Sequence, residues 1–233
     1  MNWALLFFLF SIADRAVIES VFVRQAEIGR RLAGVNYRAE FKYIETDILK
    51  GTIKRLGCIR RVIMTGYDEQ TEVFLSATVD GREVDGEKMR QVCQELKRKG
   101  LIARKSRMPF LVATRDEYEY EVSGVAEIQG ESCRVIKFFP KRADNLHLRG
   151  KGYVSLKGYD VVRLEFVPAR LPFVVREARM VLDYKPVQGF WLPSRFAMWM
   201  GLRVKVFKEF WHQRLEIEDV YDDYQLDLNR DGA

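Results

Sequence analysis

Residues 118–166, YEYEVSGVAEIQGESCRVIKFFPKRADNLHLRGKGYVSLKGYDVVRLEF, decide the fold. They read as consecutive strands separated by glycine turns. Glu121, Glu127, Glu131, Arg134, Lys137 and Arg163 alternate with Val122, Val125, Ile128, Cys133, Ile136, Phe138 and Leu164. That is the period-2 pattern of a sheet with one packed face and one wet face. The stretch is a scaffold signal, and no catalytic constellation stands out in it or elsewhere in the chain.

Working outward, 233 residues are enough to bury a substantial core in one β domain without staples. Hydrophobic residues make up 48% and charged residues 31%, which excludes wholesale disorder, while the 15 Phe, 10 Tyr and 4 Trp suit sheet surfaces better than helical bundles. The net charge of +6 is spread among 33 acidic residues, so it reads as a mixed solvated surface rather than an anion-binding face, and no nucleic-acid partner is expected. Cys58, Cys93 and Cys133 lie far apart and neither His147 nor His212 completes a ligand set, so no metal is expected. One bridge with a thiol left over would suit an oxidising compartment. The odd count and the apolar neighbours of Cys93 and Cys133 favour buried free thiols.

The chain opens with MNWALLFFLFSIA, an apolar run with small residues, Ser11 and Ala13, at the −3 and −1 positions of a signal-peptidase site. It is too short to span a bilayer, which takes about 20 apolar residues. Residues 1–13 are read as a signal peptide cleaved near Ala13, giving an exported, periplasmic chain. The competing reading is an apolar extension of the first helix. From Asp14 to about Ala33, Val17, Ile18, Val21, Phe22, Ile28 and Leu32 recur at helical spacing, with Asp14 as N-cap and Gly34 as the stop. Tyr37, Ala39, Phe41 and Tyr43 then alternate with Arg38, Glu40 and Lys42, predicting a strand over 36–47 under that helix.

Shorter strands are predicted at 52–65 and 72–79, split by a turn at 66–69. A helical insert follows at about 80–100, with Met89, Val92, Cys93 and Leu96 on one face and Asp85 at its start; Lys97-Arg98-Lys99 near its end is explained by the helix dipole. Further strands are predicted at 174–184, 190–198, 202–210 and 213–220, with a last short strand and a frayed tail after Asp222. Pro168, Pro172, Pro186 and Pro193 confine these strands to edges, bulges or strand starts. The whole is a mainly β (α+β) protein: residues 14–233 form one domain, in which two helices and some ten antiparallel strands make a curved sheet or open, incomplete β-barrel.

The order of elements carries a resemblance. An apolar leader, an amphipathic helix and an aromatic-alternating strand precede Gly130-x-x-Cys133-x-Val135-Ile136-x-Phe138-x-Pro140-Lys141. Gly152-Tyr153-Val154-Ser155, Tyr159-Asp160-Val161-Val162-Arg163 and Gly189-Phe190-Trp191-Leu192-Pro193 follow. This order resembles the periplasmic lipoprotein-carrier superfamily, which includes the outer-membrane lipoprotein-sorting chaperones. The helical insert at about 80–100 and the uncharged leader depart from that pattern. The resemblance implies helices over the concave side of the open barrel and a hydrophobic cavity for acyl chains. It also implies a carrier or chaperone without enzymatic chemistry or cofactor, whose partner is an acyl chain or a lipidated protein. The alternative is an envelope interaction or sensor module on the same scaffold, with the cavity filled by its own side chains; on either reading a monomer is expected.

For the carrier reading the hydrophobic-ligand lining is expected from Phe41, Tyr43, Phe138, Tyr153, Phe166, Trp191, Phe196 and Trp199, since an acyl chain gains about 0.8 kcal/mol per CH₂ only against an apolar wall. The same aromatics are what any sheet core contains. Phe190–Met200 is the densest apolar patch, read either as a cavity mouth softened by Met198 and Met200 or as a buried strand pair bent at Pro193. Ser132-Cys133 with His147 or His212, the Gly150-Lys151-Gly152 glycines, and Asp219, Asp222 and Asp223 are the remaining candidates for a nucleophile, a phosphate loop and a calcium site. Each lacks the motif its chemistry needs.

Overall fold

A computed structural model describes residues 3–65, 69–98, 107–206 and 209–229. In chain order the elements are helix α1 (Trp3–Arg31), strands β1 (Leu32–Asp47), β2 (Thr52–Thr65), β3 (Glu69–Val79) and β4 (Arg82–Val84), helix α2 (Gly86–Arg98), a 3-10 turn (Val112–Glu117), and strands β5 (Tyr118–Ile128), β6 (Glu131–Pro140), β7 (Leu148–Ser155), β8 (Val161–Pro168), β9 (Val175–Val187), β10 (Phe190–Val206) and β11 (Glu209–Leu228). The expected turn at 66–69 and the end of the helical insert fall largely outside the described residues.

All eleven strands form one unclosed, curved antiparallel sheet in the order β4-β3-β2-β1-β11-β10-β9-β8-β7-β6-β5. Two meanders, β1–β4 and β5–β11, are joined where the first strand pairs with the last. That pairing runs from Leu32 opposite Leu228 to Asp47 opposite Gln213.

Directly paired residues share a face, so rows can be followed from strand to strand. Ala77, Cys58, Phe41, Asp219, Phe196, Leu182, Leu164, Gly152, Ile136 and Val122 form one unbroken row across ten strands. The next comprises Val79, Leu56, Tyr43, Ile217, Met198, Met180, Phe166, Gly150, Phe138 and Tyr120. Apart from Asp219 both rows are apolar or glycine. On the reverse face Arg38 pairs with Asp222, Arg195 with Glu218, Lys137 with Glu121 and Lys151 with Glu165. Such surface pairs contribute little individually and mark that side as wet.

Both helices pack on the apolar face. Val17, Ile18 and Val21 of α1 join Phe110, Tyr118, Ile136, Phe138 and Leu164 in one core cluster, and Phe22 meets Tyr120 edge-on at 5.5 Å. Val92 and Leu96 of α2, with Met89 beside them, join Phe41, Tyr43, Leu56, Cys58 and Ile217 in a second. The helical face expected in the insert is therefore the buried one.

Several boundaries differ from expectation. Asp14 lies inside α1 and caps nothing, and the helix ends at Arg31 rather than near Gly34, which is already paired in β1 with Thr65 and Asp227. The early stop has a cause: Asn229, just past β11, donates from its backbone N–H to the Arg31 carbonyl (3.0 Å) and from its side chain to that of Arg30 (2.6 Å). These bonds satisfy carbonyls that a helix end leaves open. The strand expected at 190–198 and the first part of that expected at 202–210, up to Val206, are one strand, β10, while 207–208 lie outside the described residues and 209–210 belong to β11; the strand expected to end near Val220 continues to Leu228, because each has partners along its length. Pro193 sits inside β10 at a register shift, the bulge position expected of it.

In the central stretch the alternation is shared between two packed faces. Cys133 belongs with Tyr153 and Val162 in a small reverse-side cluster, and Val125 is 58% exposed beyond the bulge at Gly124. All three cysteines are free and buried.

The Gly150-Lys151-Gly152 glycines are not in a turn but inside β7. A Cβ on Gly152 would lie 2.6 Å from the ring of Phe110, so the glycine makes a seat for that ring. Phe110 is 2% exposed and is held at φ 64°, a conformation costly for a bulky residue. Gly152→Ala should therefore destabilise the fold by about 1–3 kcal/mol in urea denaturation, as overpacked core sites do. Most of that loss should vanish when the same change is made in a Phe110→Ala background, where the ring is gone.

Candidate functional site

The two core clusters meet in the middle of the apolar face. Met180 on β9 and Phe196 on β10 are half-buried and pack against both, and Phe166 stacks on Phe196 at 6.5 Å between ring centroids. Met198 and Ile217 close the cluster on the α2 side, flanked by Met200 and Leu215. Helix α2 packs against β3, whereas α1 meets β1, β5 and the 3-10 turn. The Met180–Phe196 seam thus lies between the strands each helix covers. Thioethers and aromatic rings line it, side chains that adapt to an irregular apolar neighbour.

Of the residues expected to line a ligand site, Phe41 and Phe196 lie in the first row of this face and Tyr43, Phe138 and Phe166 in the second. The other three are elsewhere. Tyr153 is on the reverse face, where Trp191 packs with it. Trp199 follows Met198 on β10 and so faces the reverse side, 38% exposed, with the Arg179 guanidinium 6.0 Å from its ring. Phe41 and Phe138 are 1% and 0% exposed, buried by the protein itself. The cleft between α2 and β3, at Phe74, Met89, Arg90, Cys93 and Gln94, holds about 200 Å³ and includes none of the expected lining.

One charged group interrupts the rows. Asp219 on β11 accepts two hydrogen bonds from Arg60 on β2, Nη1–Oδ1 3.1 Å and Nη2–Oδ2 2.6 Å, and Arg60 Nε donates to Glu72 on β3 at 3.2 Å. All three side chains are at least nine-tenths buried. Burial raises the Asp219 carboxyl above its ordinary range even with the guanidinium against it. Burial likewise opposes the Arg60 charge, but the bonds to Asp219 outweigh it and raise the guanidinium further. Burial also pushes the Tyr37 hydroxyl up to about 12 and the neighbouring Cys58 thiol to about 12, so neither is a nucleophile at neutral pH. Neither Arg60 nor Asp219 was singled out with the other. The available signal was Leu56-x-Cys58-x-Arg60-x-Val62, a cation at the third of four positions that otherwise alternate into a core.

The other polar candidates separate. His147 precedes β7 and is held between Asp144 (Nδ1–Oδ1 2.8 Å) and Glu117 (Nε2–Oε2 3.0 Å), at the opposite end of β6 from Ser132 and Cys133. Seven residues of strand, roughly 23 Å, lie between them. Asp222 and Asp223 point away from Asp219 to Arg38 and Arg61. The geometry offers an apolar surface and a buried ion pair, with no nucleophile–base pair among these groups.

No family model matches the chain, and no curated protein matches it. Solved structures similar to it include a DUF1329 family protein from Desulfovibrio piger, with 12% identity over 91% of this chain and 92% of that one at a TM-score of 0.44. An outer membrane lipoprotein-sorting protein domain from Vibrio parahaemolyticus is 10% identical over 90% and 91%, at 0.40. A LolA superfamily protein from Nitrosomonas europaea is 14% identical over 92% and 93%, at 0.34. The lipoprotein-sorting group that the sequence resembles recurs among these distant similarities. At such identities and scores nothing about ligand or partner is taken from them. No helix among the described residues is long and apolar enough to cross a membrane.

Removing one partner of a buried ion pair leaves the other uncompensated. Asp219→Ala should cost about 3–5 kcal/mol in urea denaturation, while the joint replacement Arg60→Met, Glu72→Leu and Asp219→Leu, which leaves no buried charge of the group unpaired, should cost less than the single change. Equal losses would place the energy in packing rather than in charge.

Proposed function

We propose that this chain is an exported, non-enzymatic carrier of hydrophobic ligands. In this reading the helix-bearing face is the concave side of an open barrel, and an acyl chain or the lipidated end of a protein is taken up at the Met180–Phe196 seam. One observation carries the reading: two rows that are apolar or glycine but for Asp219 cross the sheet, each flank is covered by a helix, and the residues joining the two clusters are left half-buried. The order of motifs shared with lipoprotein carriers supports it. An acyl chain entering the seam would part the two clusters without breaking a hydrogen bond, and each methylene would leave water for an apolar wall.

A second reading has its own observation. Phe110 occupies the place above Gly152, and the cleft at α2 is smaller than the roughly 300 Å³ of a typical ligand pocket. On that reading the face is self-filled and the protein is an envelope interaction module.

Two measurements separate them. Mass spectrometry of the purified protein should reveal co-purifying lipid, and a fluorescent fatty acid should bind with its affinity lowered about tenfold by Phe196→Ala. Absence of both signals leaves the interaction module. For export, N-terminal sequencing of the protein from the cell envelope should begin near Asp14, whereas an intact Met1 would overturn cleavage at Ala13.

A further inference from the structure

In an antiparallel meander alternate turns fall at the same end of the sheet, and here the two ends differ. At one end Gln129-Gly130 and Gln188-Gly189 make short polar turns, the β7–β8 turn shows Leu156 (41% exposed) and Tyr159 (36% exposed), and Arg24 of α1 bonds Asp160 and the Gly189 carbonyl there. The other end carries the β1–β2 turn, the β6–β7 and β8–β9 loops and the β10–β11 hairpin. Backbone hydrogen bonds knit these into one rim: Ile48 to His212 (2.8 Å), Arg203 to Val174 (2.9 Å), Ala169 to His147 (2.8 Å) and Arg170 to Asp144 (2.9 Å).

Large apolar side chains stand out from each part of this rim. Phe173 is 82% exposed, Trp211 60%, Leu49 57% and Leu146 43%. The β10–β11 pair continues through Val204 opposite Trp211 to Val206 opposite Glu209, past the last pairings with β9 and β1. Those three further positions carry it roughly 10 Å beyond its neighbours. Cations flank the tips: Lys50, Lys141, Arg142, Arg170 and Arg203 lie in the described parts of these turns, five against the three acids Asp47, Asp144 and Glu209; Lys50 meets Asp47 at 3.9 Å and Arg142 meets Asp144 at 3.4 Å, while Lys141, Arg170 and Arg203 add to the positive balance. The side chains of Lys50 and Arg142 are 77% and 82% exposed.

We propose that this rim docks the protein on an anionic phospholipid surface. The exposed apolar side chains sit on four separate turns of one rim with cations beside them, which suits insertion among anionic headgroups. Trp and Phe with neighbouring Lys and Arg is the combination that holds a peripheral protein at a bilayer interface, the rings at headgroup level and the cations on lipid phosphates. Charge decides the surface: a rim this basic is repelled by cationic lipid and gains little from a neutral one. The inference stands whether or not the seam takes a ligand.

The test is co-sedimentation of the full chain with vesicles of phosphatidylglycerol and phosphatidylcholine, with pure phosphatidylcholine as the comparison. The protein should sediment with the anionic vesicles, less so as salt rises. The Phe173→Ser, Trp211→Ser double variant and, separately, Arg142→Ser with Arg170→Ser should each bind roughly tenfold more weakly. Because these side chains are exposed, both variants should keep the wild-type melting temperature, and a Phe196→Ala variant should bind vesicles normally. Equal binding to both lipids, or binding unchanged in both variants, overturns the proposal. So does a wild-type dimer that the aromatic variant converts to monomer, which would make the rim an interface between copies of the chain.

Discussion

The ion pair between Arg60 and Asp219 reaches across β1 from β2 to β11, between residues 159 apart in sequence. It marks the joint on which the sheet depends. Each meander can form from local hairpins, but the eleven-stranded sheet exists only when β1 finds β11. That pairing closes nearly the whole chain into a loop, and its register is the least locally determined feature of the fold. A slip of one residue would turn Asp219 to the reverse face and leave Arg60, still buried on β2, without its carboxylate. A slip of two residues would keep the apolar residues of β1 and β11 on their face but would still carry Asp219 away from Arg60. The charge tolerates one. A buried pair of this kind adds little net stability, and its strongest effect is to penalise the wrong alignment.

With the joint in place the rest of the face follows. The two rows become continuous because β11 connects Phe41 to Phe196, and so the core of each meander becomes one half of a shared surface. The halves are finished differently. On the β5–β8 side the chain supplies its own filling: α1 lays Val17, Ile18 and Val21 over the strands, and Phe110 drops onto the bare backbone of Gly152. On the β1–β3 side α2 inserts Val92 and Leu96. Met180 and Phe196, on the central strands β9 and β10, pack against both clusters and remain half-buried.

Much of this was legible in the sequence where the signal is local. The period-2 alternation located nearly every strand, Met89, Val92, Cys93 and Leu96 gave the face of α2 correctly, and Pro193 marked its bulge. What failed to show was what depends on distant partners. Nothing near Arg31 says that α1 must end there, because the stopping bonds come from Asn229 at the other end of the chain. The full lengths of β10 and β11 were hidden for the same reason: Met198–Leu202 contains Gly201, where the register with β9 shifts, and β10 continues through it because the pairing with β11 is unbroken. Five of the eight expected lining aromatics share one face. Tyr153, Trp191 and Trp199 do not, since alternation fixes which residues agree within a strand but not how strands on either side of a bulge line up. Residues bearing the inner geometry most directly, Gly152 and Phe110, carry no local signal at all.

The seam and the basic rim are connected by the strand that forms part of both. Along β10 the side chains of Phe196, Met198, Met200, Leu202 and Val204 alternate onto the apolar face, and on β11 Ile217 and Leu215 lead in the same direction toward Trp211. This is one apolar track, interrupted by Gln213, running from the half-buried centre of the sheet to Val204 and Trp211, where the β10–β11 pair begins to extend past its neighbours. A strand rises about 3.3 Å per residue, so Phe196 to Val204 spans roughly 26 Å, close to the thickness of a bilayer's hydrocarbon core. An acyl chain leaving a membrane at the rim would therefore meet apolar side chains along much of its path to the seam, with no polar barrier higher than one glutamine. Soft, unbranched Met180, Met198 and Met200 cluster on these strands, side chains that move aside at little cost, whereas the half of the face around Phe110 is filled by rigid aromatic packing.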